Sequence, residues 1–206
     1  SFHGFLLHGV TGSGKTEVYL SITEWLLKKG KQVLVLVPEI GLTPQMIARF
    51  EQRIKDKVVA VHSQLNETQK QDAYLMAKSG KAKVILGTRS AIFTPIPKLG
   101  LVIVDEEHDG SFKQQSNFRY SARDLSFMRA KLANIPLILG TATPSLETLK
   151  NVVDQKLTRL VLSSRPGGAI LPEINLIDMR SQASEALSIP LVSKMEHYLK
   201  EDKQVM

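Results

Sequence analysis

An eight-residue segment near the start of the sequence, "GVTGSGKT" at residues 9–16, has the composition and spacing of a phosphate-binding loop. It fits the pattern G-x-x-x-x-G-K-[ST]. Glycines let the backbone curl so that successive N–H groups face phosphate oxygens. An apolar run precedes the segment and an amphipathic run follows it, which predicts a strand, a loop and a helix whose positive end faces the same phosphates. A glycine-rich turn that binds nothing is the alternative.

The loop predicts a site for ATP or ADP with Mg²⁺. Lys15 would reach the β- and γ-phosphates, and the hydroxyl of Thr16 would be a magnesium ligand. The expected nucleotide-binding residues are Gly9, Val10, Thr11, Gly12, Ser13, Gly14, Lys15 and Thr16.

A second segment, "LVIVDEEH" at residues 101–108, is an apolar run that ends in three carboxylates and a histidine. Ligands of an open parallel sheet bind beyond the carboxyl ends of its strands, so Asp105 is expected beside the phosphate loop as a second magnesium ligand. Glu106 would orient or deprotonate the water that attacks the γ-phosphate. His108 is expected to connect this site to neighbouring motifs. Glu107 is assigned either a surface role, solvated or in a salt bridge, or a catalytic one. The expected catalytic residues are Lys15, Asp105, Glu106 and His108.

Aromatic and basic side chains follow the acidic residues closely. Phe112, Phe118 and Tyr120 fall within nine residues of a chain in which only 6% of residues are aromatic, and Lys113 and Arg119 lie among them. Aromatic faces stack on unpaired bases, and cations bind the phosphate backbone. The run therefore predicts contacts with single-stranded nucleic acid. Burial of the two phenylalanines in the core, with the run as a simple connection, is the alternative.

The elements that must position these groups alternate regularly along the chain. Short apolar runs without polar alternation predict strands buried on both faces, and amphipathic stretches between them predict helices. The predicted strands are residues 4–8, 32–37, 58–62, 83–86, 101–105, 137–139 and 174–178, and the predicted helices are residues 15–29, 44–54, 68–79, 122–133 and 189–200. This order predicts an α/β fold with a mainly parallel sheet covered by helices on both faces. Trp25, Leu26, Met46 and Met128 are assigned to the core.

Composition limits the class of protein. The 206 residues are 43% hydrophobic and 23% charged, as in an ordinary globular chain, and they contain no cysteine for a disulfide or a thiolate zinc site. A net charge of +7 favours a polyanionic partner. No apolar run is long enough for a membrane span, and we expect an intracellular protein. A Gly- and Pro-rich stretch after residue 162 predicts a domain over residues 1–162 and a linker with the start of another lobe over 163–206, as in a piece of a longer protein.

Five segments together resemble a known family. "GVTGSGKTEVYL", "LVPEIGLTPQM", "GTRSAIF", "VDEEHDGSFKQQSNFRYSARD" and "GTATPSLE" are similar, in this order, to the nucleotide-binding lobe of superfamily 2 DNA helicases, and most specifically to the replication-restart helicases of bacteria. The resemblance implies a RecA-like lobe and single-stranded DNA contacts from residues 38–46 and 87–93. The implied donors are Thr43, Gln45, Thr88, Arg89 and Ser90. It also implies that residues 140–145 couple the ATP state to the hold on DNA. From the sequence alone, Thr143 would cap a helix whose first turn contains Pro144.

The resemblance implies an ATP-driven 3'-5' DNA helicase that moves along single-stranded DNA in replication restart and primosome assembly. Its implied partners are single-stranded and forked DNA, other primosome proteins and single-strand-binding protein, in the bacterial cytoplasm at the nucleoid and without a membrane. Zinc is expected only outside these residues. Two alternatives stay open: a duplex-DNA translocase or RNA helicase of the same superfamily, or a nucleotide-gated DNA-binding lobe without turnover.

Overall fold

The computed structural model describes residues 1–164, 174–180 and 187–205. In chain order, the strands of this part are β1 His3–Gly9, β2 Gln32–Leu36, β3 Lys57–Val61, β4 Ala82–Gly87, β5 Leu99–Asp105, β6 Lys113–Gln114, β7 Tyr120–Ser121, β8 Pro136–Thr141 and β9 Thr158–Leu162. The α-helices are α1 Lys15–Lys28, α2 Pro44–Arg53, α3 Glu67–Lys78, α4 Ala122–Leu132, α5 Leu146–Val153 and α6 Ile189–Lys200. Short 3₁₀ helices span Glu39–Gly41, Arg89–Phe93 and Gly110–Phe112.

Seven strands form one sheet in the order β3-β4-β2-β5-β8-β1-β9, and every pair in it is parallel. The central strands are buried on both faces, which explains why their sequences lack polar alternation. One face packs against α1 and α2 through side chains such as Leu20 and Phe50. The other packs against α3 and α4 through small residues such as Ala77 and Ala130. The predicted parallel α/β architecture is confirmed.

Helix starts follow local capping chemistry. The side chain of Asn66 accepts a hydrogen bond from the N–H of Gln69, whose own side chain accepts from the N–H of Asn66, so α3 begins with a capping box. The side chain of Ser121 accepts from the N–H of Asp124 and so caps α4. The prediction that Thr143 caps α5 is wrong, because Ser145 has the extended backbone of the cap and accepts from the N–H of Thr148.

Several sequence-based expectations fail because tertiary contacts decide them. The edge strand β9 and the two-residue pair β6 and β7 are not predicted, since each is too short or too polar to show a pattern. Residues 174–178 do not form the expected strand; within the described residues, they pair with no strand, and an extended segment needs such a neighbour. Leu26 is buried as expected, but Trp25 and Met128 are 54% and 59% exposed and do not belong to the core.

The chain divides into two compact units, Ser1–Gly168 and Ala169–Met206. The first contains the complete sheet, and the second contains α6. The predicted boundary at residue 163 remains a prediction, and most of the Gly- and Pro-rich stretch that suggested it lies outside the described residues. Among the helices of the described part, none combines the length and the apolar composition that crossing a membrane requires.

Candidate nucleotide-binding and DNA-binding site

The segments singled out in the sequence all leave the sheet at its carboxyl edge. Residues 9–16 follow β1, residues 38–46 follow β2, residues 88–93 follow β4, residues 106–108 follow β5 and residues 142–145 follow β8. These five strands are consecutive in the sheet, in the order β4-β2-β5-β8-β1. The parallel topology therefore brings segments separated by up to 130 residues to one edge, which is where α/β sheets bind ligands.

The loop between β1 and α1 has the backbone that phosphate binding requires. Gly12 and Gly14 have φ angles of 78° and 91°, in the left-handed region that favours glycine, and Gly14 precedes the first turn of α1. A Cβ on Gly9 would overlap the hydroxyl of Ser13. That hydroxyl is buried and has no hydrogen-bond partner among the described residues. A buried polar atom without a partner is costly, and a nucleotide phosphate at this loop would supply one, so the residues present fit a nucleotide.

Lys15 lies at the centre of the site. Its side chain is 9% exposed, and its ammonium donates a hydrogen bond to the carbonyl of Gly9 at 2.9 Å. The same ammonium is 3.6 Å from Oε1 of Glu106, at the end of β5. This distance places the phosphate loop beside the acidic segment, although three strands lie between β1 and β5 in the sequence.

Asp105 is held in place by Tyr19, a residue that the sequence analysis missed. The Tyr19 hydroxyl donates to Oδ1 of Asp105 at 2.8 Å, and Tyr19 is fully buried. Burial raises the pKa of Asp105, with the nearby Glu106 adding to the rise, while the Tyr19 hydrogen bond and Lys15 oppose it. Gly140 on β8 makes this contact possible, because a Cβ there would overlap the Tyr19 hydroxyl.

We expect Asp105→Asn to stabilise the chain at neutral pH. Because the folded-state pKa of Asp105 is raised, its ionised form costs stability above that pKa, and the cost disappears as the pH falls below the unfolded-state pKa. The variant should therefore melt at a higher temperature than the wild type at pH 7. The difference should shrink on acidification. Thermal melts of the variant and the wild type between pH 4 and 8 measure this difference.

Glu106 adopts an unusual backbone conformation directly after β5. Its φ angle of 48° lies in the left-handed region, which is rare for residues other than glycine and is often found at functional sites. Its two carboxylate oxygens lie 3.6 Å from Lys15 Nζ and 3.6 Å from His108 Nδ1. His108 Nδ1 is also 2.7 Å from the hydroxyl of Thr141, which accepts from the N–H of Thr143. His108 therefore lies between the acidic segment and residues 140–145, and its expected role of connecting the site to neighbouring motifs stays a prediction.

Glu107 occupies a buried polar network, so its assignment to a solvated surface is wrong. The residue is 1% exposed. Its carboxylate accepts hydrogen bonds from the N–H of Ser145 at 2.8 Å, the hydroxyl of Thr148 at 2.9 Å and Arg123 on α4 at 3.3 Å. The Ser145 hydroxyl donates to it at 3.1 Å. Glu107 thus connects β5 to α4 and to the start of α5. The sequence did not indicate this structural role, because Glu107 lies in a polar segment that suggested exposure.

The candidate DNA contacts on two loops differ in accessibility. Gln45 and Ser90 are exposed, and Arg89 is half-buried with its guanidinium donating to the carbonyl of Ser111 at 3.2 Å. The Thr43 hydroxyl accepts from the N–H of Met46, so it caps α2. Thr88 is 3% exposed, which leaves its side chain little access to a ligand. Arg89 physically links the loop after β4 to the segment after β5.

The aromatic run splits between the core and the surface. Phe112 is 1% exposed, so the expectation that it stacks on bases is corrected: its ring packs in the core beneath α4. Phe118 is 72% exposed and contacts Tyr120 at a ring-centroid distance of 5.9 Å. Tyr120 also packs edge-on against Phe93 at 5.0 Å. Phe93 is 55% exposed and was missed, because only the fold brings the end of residues 88–93 to this run.

Lys113 and Arg119, which are both exposed, add positive charge next to these exposed aromatic residues.

Thr16 and Asp105 remain the candidate magnesium ligands. Among residues 1–164, 174–180 and 187–205, no three histidines or carboxylates converge as a metal site. A magnesium ion here would therefore depend on phosphate and water oxygens for its other ligands, which is the usual arrangement for Mg²⁺ with nucleotides.

Comparisons with known proteins show which family this chain resembles. Replication restart protein PriA of Haemophilus influenzae is 48% identical over 206 residues, which is 100% of this chain and 28% of that protein. PriA of Synechocystis sp. is 50% identical over 189 residues, covering 89% of this chain and 23% of that protein. PriA of Bacillus subtilis is 41% identical, covering 98% and 26%. The chain thus spans about a quarter of the length of these relatives.

Solved structures support the fold. RecG bound to a three-way DNA junction superposes with a TM-score of 0.55 at 21% identity, over 80% of this chain and 21% of that one. The helicase MrfA bound to DNA and AMPPNP gives a TM-score of 0.56 at 13% identity, over 79% and 25%. The family model described as DEAD/DEAH box helicase matches residues 2–152. The resemblance to the replication-restart helicases is thereby confirmed, and the chain belongs to the DEAD/DEAH box helicase family.

Proposed function

We propose that this chain is the nucleotide-binding lobe of an ATP-dependent DNA helicase that acts in replication restart. The helicase would move 3'-5' along single-stranded DNA, with forked DNA, primosome proteins and single-strand-binding protein as partners in the bacterial cytoplasm at the nucleoid. The relatives named replication restart protein PriA support the process, and membership of the helicase family supports the activity. Zinc would belong to parts of the protein other than these residues.

The convergence of Lys15 and Glu106 carries the proposal. Lys15 lies 3.6 Å from a carboxylate at the end of β5, which only β8 separates from β1 in the sheet, and nucleotide hydrolysis needs a phosphate-binding lysine and a water-orienting group at one site. Lys15 would exchange its bonds to Gly9 and Glu106 for the phosphates of ATP. Glu106, half-exposed at the edge of the site, would then be free to hold the attacking water and take its proton. Magnesium, with Thr16 and Asp105 among its ligands, would neutralise phosphate charge.

The loops beside the site would hold the DNA. Gln45, Ser90 and Arg89 offer donors to backbone phosphates, and Phe118 and Tyr120 offer ring faces to unpaired bases. Arg89 contacts the segment that follows Glu106, so DNA held at this loop can bias the conformation of the acidic segment. In this arrangement, hydrolysis depends on DNA.

Nucleotide binding by the chain itself tests the proposal. Calorimetric titration should detect uptake of ADP and ATP that requires Mg²⁺. Lys15→Met should weaken the uptake about 10- to 100-fold, because a hydrogen bond to a charged group contributes about 1.5 to 3 kcal/mol. Lys150→Met, on the exposed surface of α5, should leave the affinity unchanged. A wild-type chain that takes up no magnesium nucleotide would refute the proposal.

Turnover separates the alternatives. The isolated chain should hydrolyse ATP slowly, because helicase motors close a second lobe over the γ-phosphate and add an arginine from it. In a longer protein with that lobe, stimulation by single-stranded DNA supports the proposed function. Stronger stimulation by duplex DNA or RNA would support a translocase or an RNA helicase, and binding without any turnover would support a nucleotide-gated DNA clamp.

A further inference from the structure

The lysines of the chain are concentrated at the amino edge of the sheet, opposite the nucleotide site. Four turns lead into the adjacent strands β3, β4, β2 and β5. Their sequences are "KDK" at residues 55–57, "KSGK" at residues 78–81, "KKGK" at residues 28–31 and "PK" at residues 97–98. We name these four turns the amino-edge turns. All eight of their lysines are exposed.

The amino-edge turns hold the whole charge excess of the protein. Eight lysines and one acid, Asp56, give them a net charge of +7, which equals the net charge of the chain. In the part of the chain that the structure describes, none of these eight ammonium groups forms an ion pair with a carboxylate. The ammonium of Lys29 lies 3.6 Å over the ring of the exposed Trp25. These ammonium groups thus stay available to an anionic partner, although Lys28 is near enough to Glu24 to help lower the pKa of that carboxyl.

A buried glutamine joins three of these four turns, those before β2, β4 and β5. Gln32, the first residue of β2, is fully buried. Its amide nitrogen donates to the carbonyls of Ala77 at 2.9 Å and Ala82 at 2.8 Å, and its amide oxygen accepts from the N–H of Lys98 at 3.1 Å. One satisfied side chain thus joins the turn before β2 to both ends of the turn before β4 and to the start of β5. The backbones from which these lysines project are therefore held at a fixed spacing, and binding has to order only the lysine side chains.

The evenly spaced lysines of the amino-edge turns favour a polyanion with regularly spaced charges as the ligand. Neighbouring strands are about 4.8 Å apart, so four of them extend over about 14 Å, which is about four base-pair steps of 3.4 Å. The residues between the lysines are small or polar, namely Gly30, Asp56, Ser79, Gly80 and Pro97. A protein partner is normally anchored by apolar side chains in pockets, whereas a phosphate backbone needs only spaced cations. A single strand would further need several aromatic platforms.

We propose that the amino-edge turns bind the phosphate backbone of duplex DNA. This second nucleic-acid surface lies across the sheet from the loops assigned to single-stranded DNA. One lobe can then hold a duplex arm at its amino edge while the carboxyl edge engages an unpaired strand. The contact is independent of base sequence and of nucleotide, because it involves only lysine ammonium groups and phosphates.

The test measures binding of a blunt 20-base-pair duplex to the nucleotide-free chain by fluorescence anisotropy over a range of salt concentrations. One variant combines Lys31→Ala, Lys57→Ala, Lys81→Ala and Lys98→Ala. A matched control combines Lys70→Ala, Lys150→Ala, Lys194→Ala and Lys200→Ala, which removes the same charge from positions outside the amino-edge turns. The first variant should bind about 10-fold or more weakly near 0.1 M salt. The slope of log affinity against log salt should fall by about 2 to 4, since each lost phosphate contact contributes about 0.9.

The control variant should keep the wild-type slope. Equal losses in both variants, or an unchanged affinity in the amino-edge variant, would overturn the proposal. A poly-glutamate peptide is tested in the same way. If the wild-type chain bound this peptide as tightly as the duplex, and the amino-edge variant lost that binding, the edge would be assigned to an acidic protein instead. Lys15 is intact and nucleotide is absent throughout, so the outcome does not depend on the proposed ATPase function.

Discussion

Glu106→Gln should abolish most ATP turnover while the protein still binds magnesium nucleotide. The substitution keeps the size of the side chain but removes its ability to accept a proton from the attacking water. General-base catalysis of this kind contributes about 10²- to 10⁴-fold, so turnover should fall by that factor. Nucleotide affinity should stay equal or rise, because Lys15 loses the carboxylate that lies 3.6 Å away and becomes free for phosphates.

The measurement uses steady-state and single-turnover hydrolysis in a longer protein that joins this chain to a second lobe, with nucleotide affinity measured separately. Glu51→Gln makes the same chemical change on the exposed face of α2 and should change neither quantity. If Glu106→Gln hydrolysed ATP within about threefold of the wild-type rate, another group would have to accept the proton. The assignment of Glu106 would then be withdrawn, although the nucleotide site could stand.

Glu107→Ala should cost the chain about 3 to 5 kcal/mol of unfolding free energy. The fully buried carboxylate accepts bonds from Ser145, Thr148 and Arg123, and its removal leaves buried donors and a cation without their partner. Glu107→Gln keeps the volume but turns an N–H₂ group towards these donors, so a loss of about 1 to 3 kcal/mol is expected. Urea unfolding followed by circular dichroism measures both.

Glu147 offers a matched comparison for this prediction. Its carboxylate also lies near Arg123, at 4.0 Å, but its side chain is 63% exposed. Exposed ion pairs contribute little to stability, so Glu147→Ala should cost far less than Glu107→Ala. Similar losses from Glu107→Ala and Glu147→Ala would show that burial does not set the strength of the network. The contacts of Glu107 that connect β5 to α4 and α5 would then contribute no more to stability than an exposed ion pair does.

The main elements could be predicted from sequence, because each carries a local signal. The strands β2 and β5 are continuous apolar runs. The helices α3 and α4 each begin directly after a residue whose side chain caps the helix. The edge strand β9 could not be predicted, because it exists only through its pairing with β1. The same argument explains residues 174–178, which look like a strand but pair with none in the described part of the chain.

The residues of the candidate site also fall into those that the sequence could predict and those that it could not. The phosphate loop and the acidic segment could be recognised because glycine, lysine and carboxylate chemistry is tied to fixed spacing. Tyr19, Gly140 and Phe93 could not be found, since their roles depend on side chains from other strands: Tyr19 reaches Asp105 only past Gly140, and Phe93 meets Tyr120 only in the fold. Phe112 was misassigned for the opposite reason: it lies in a polar run that suggested exposure, but the fold buries it.

The sequence by itself determined the parallel α/β class, the phosphate loop and the acidic end of β5, since backbone curvature and buried strand pattern are local properties of the chain. Only the tertiary structure decided which carboxylate faces Lys15 and which is buried. Glu106 and Glu107 are adjacent and chemically identical, but the left-handed turn at Glu106 directs one to the phosphate loop and the other into contacts with Arg123 and Ser145. Contacts between distant segments, rather than residue type, set these two roles.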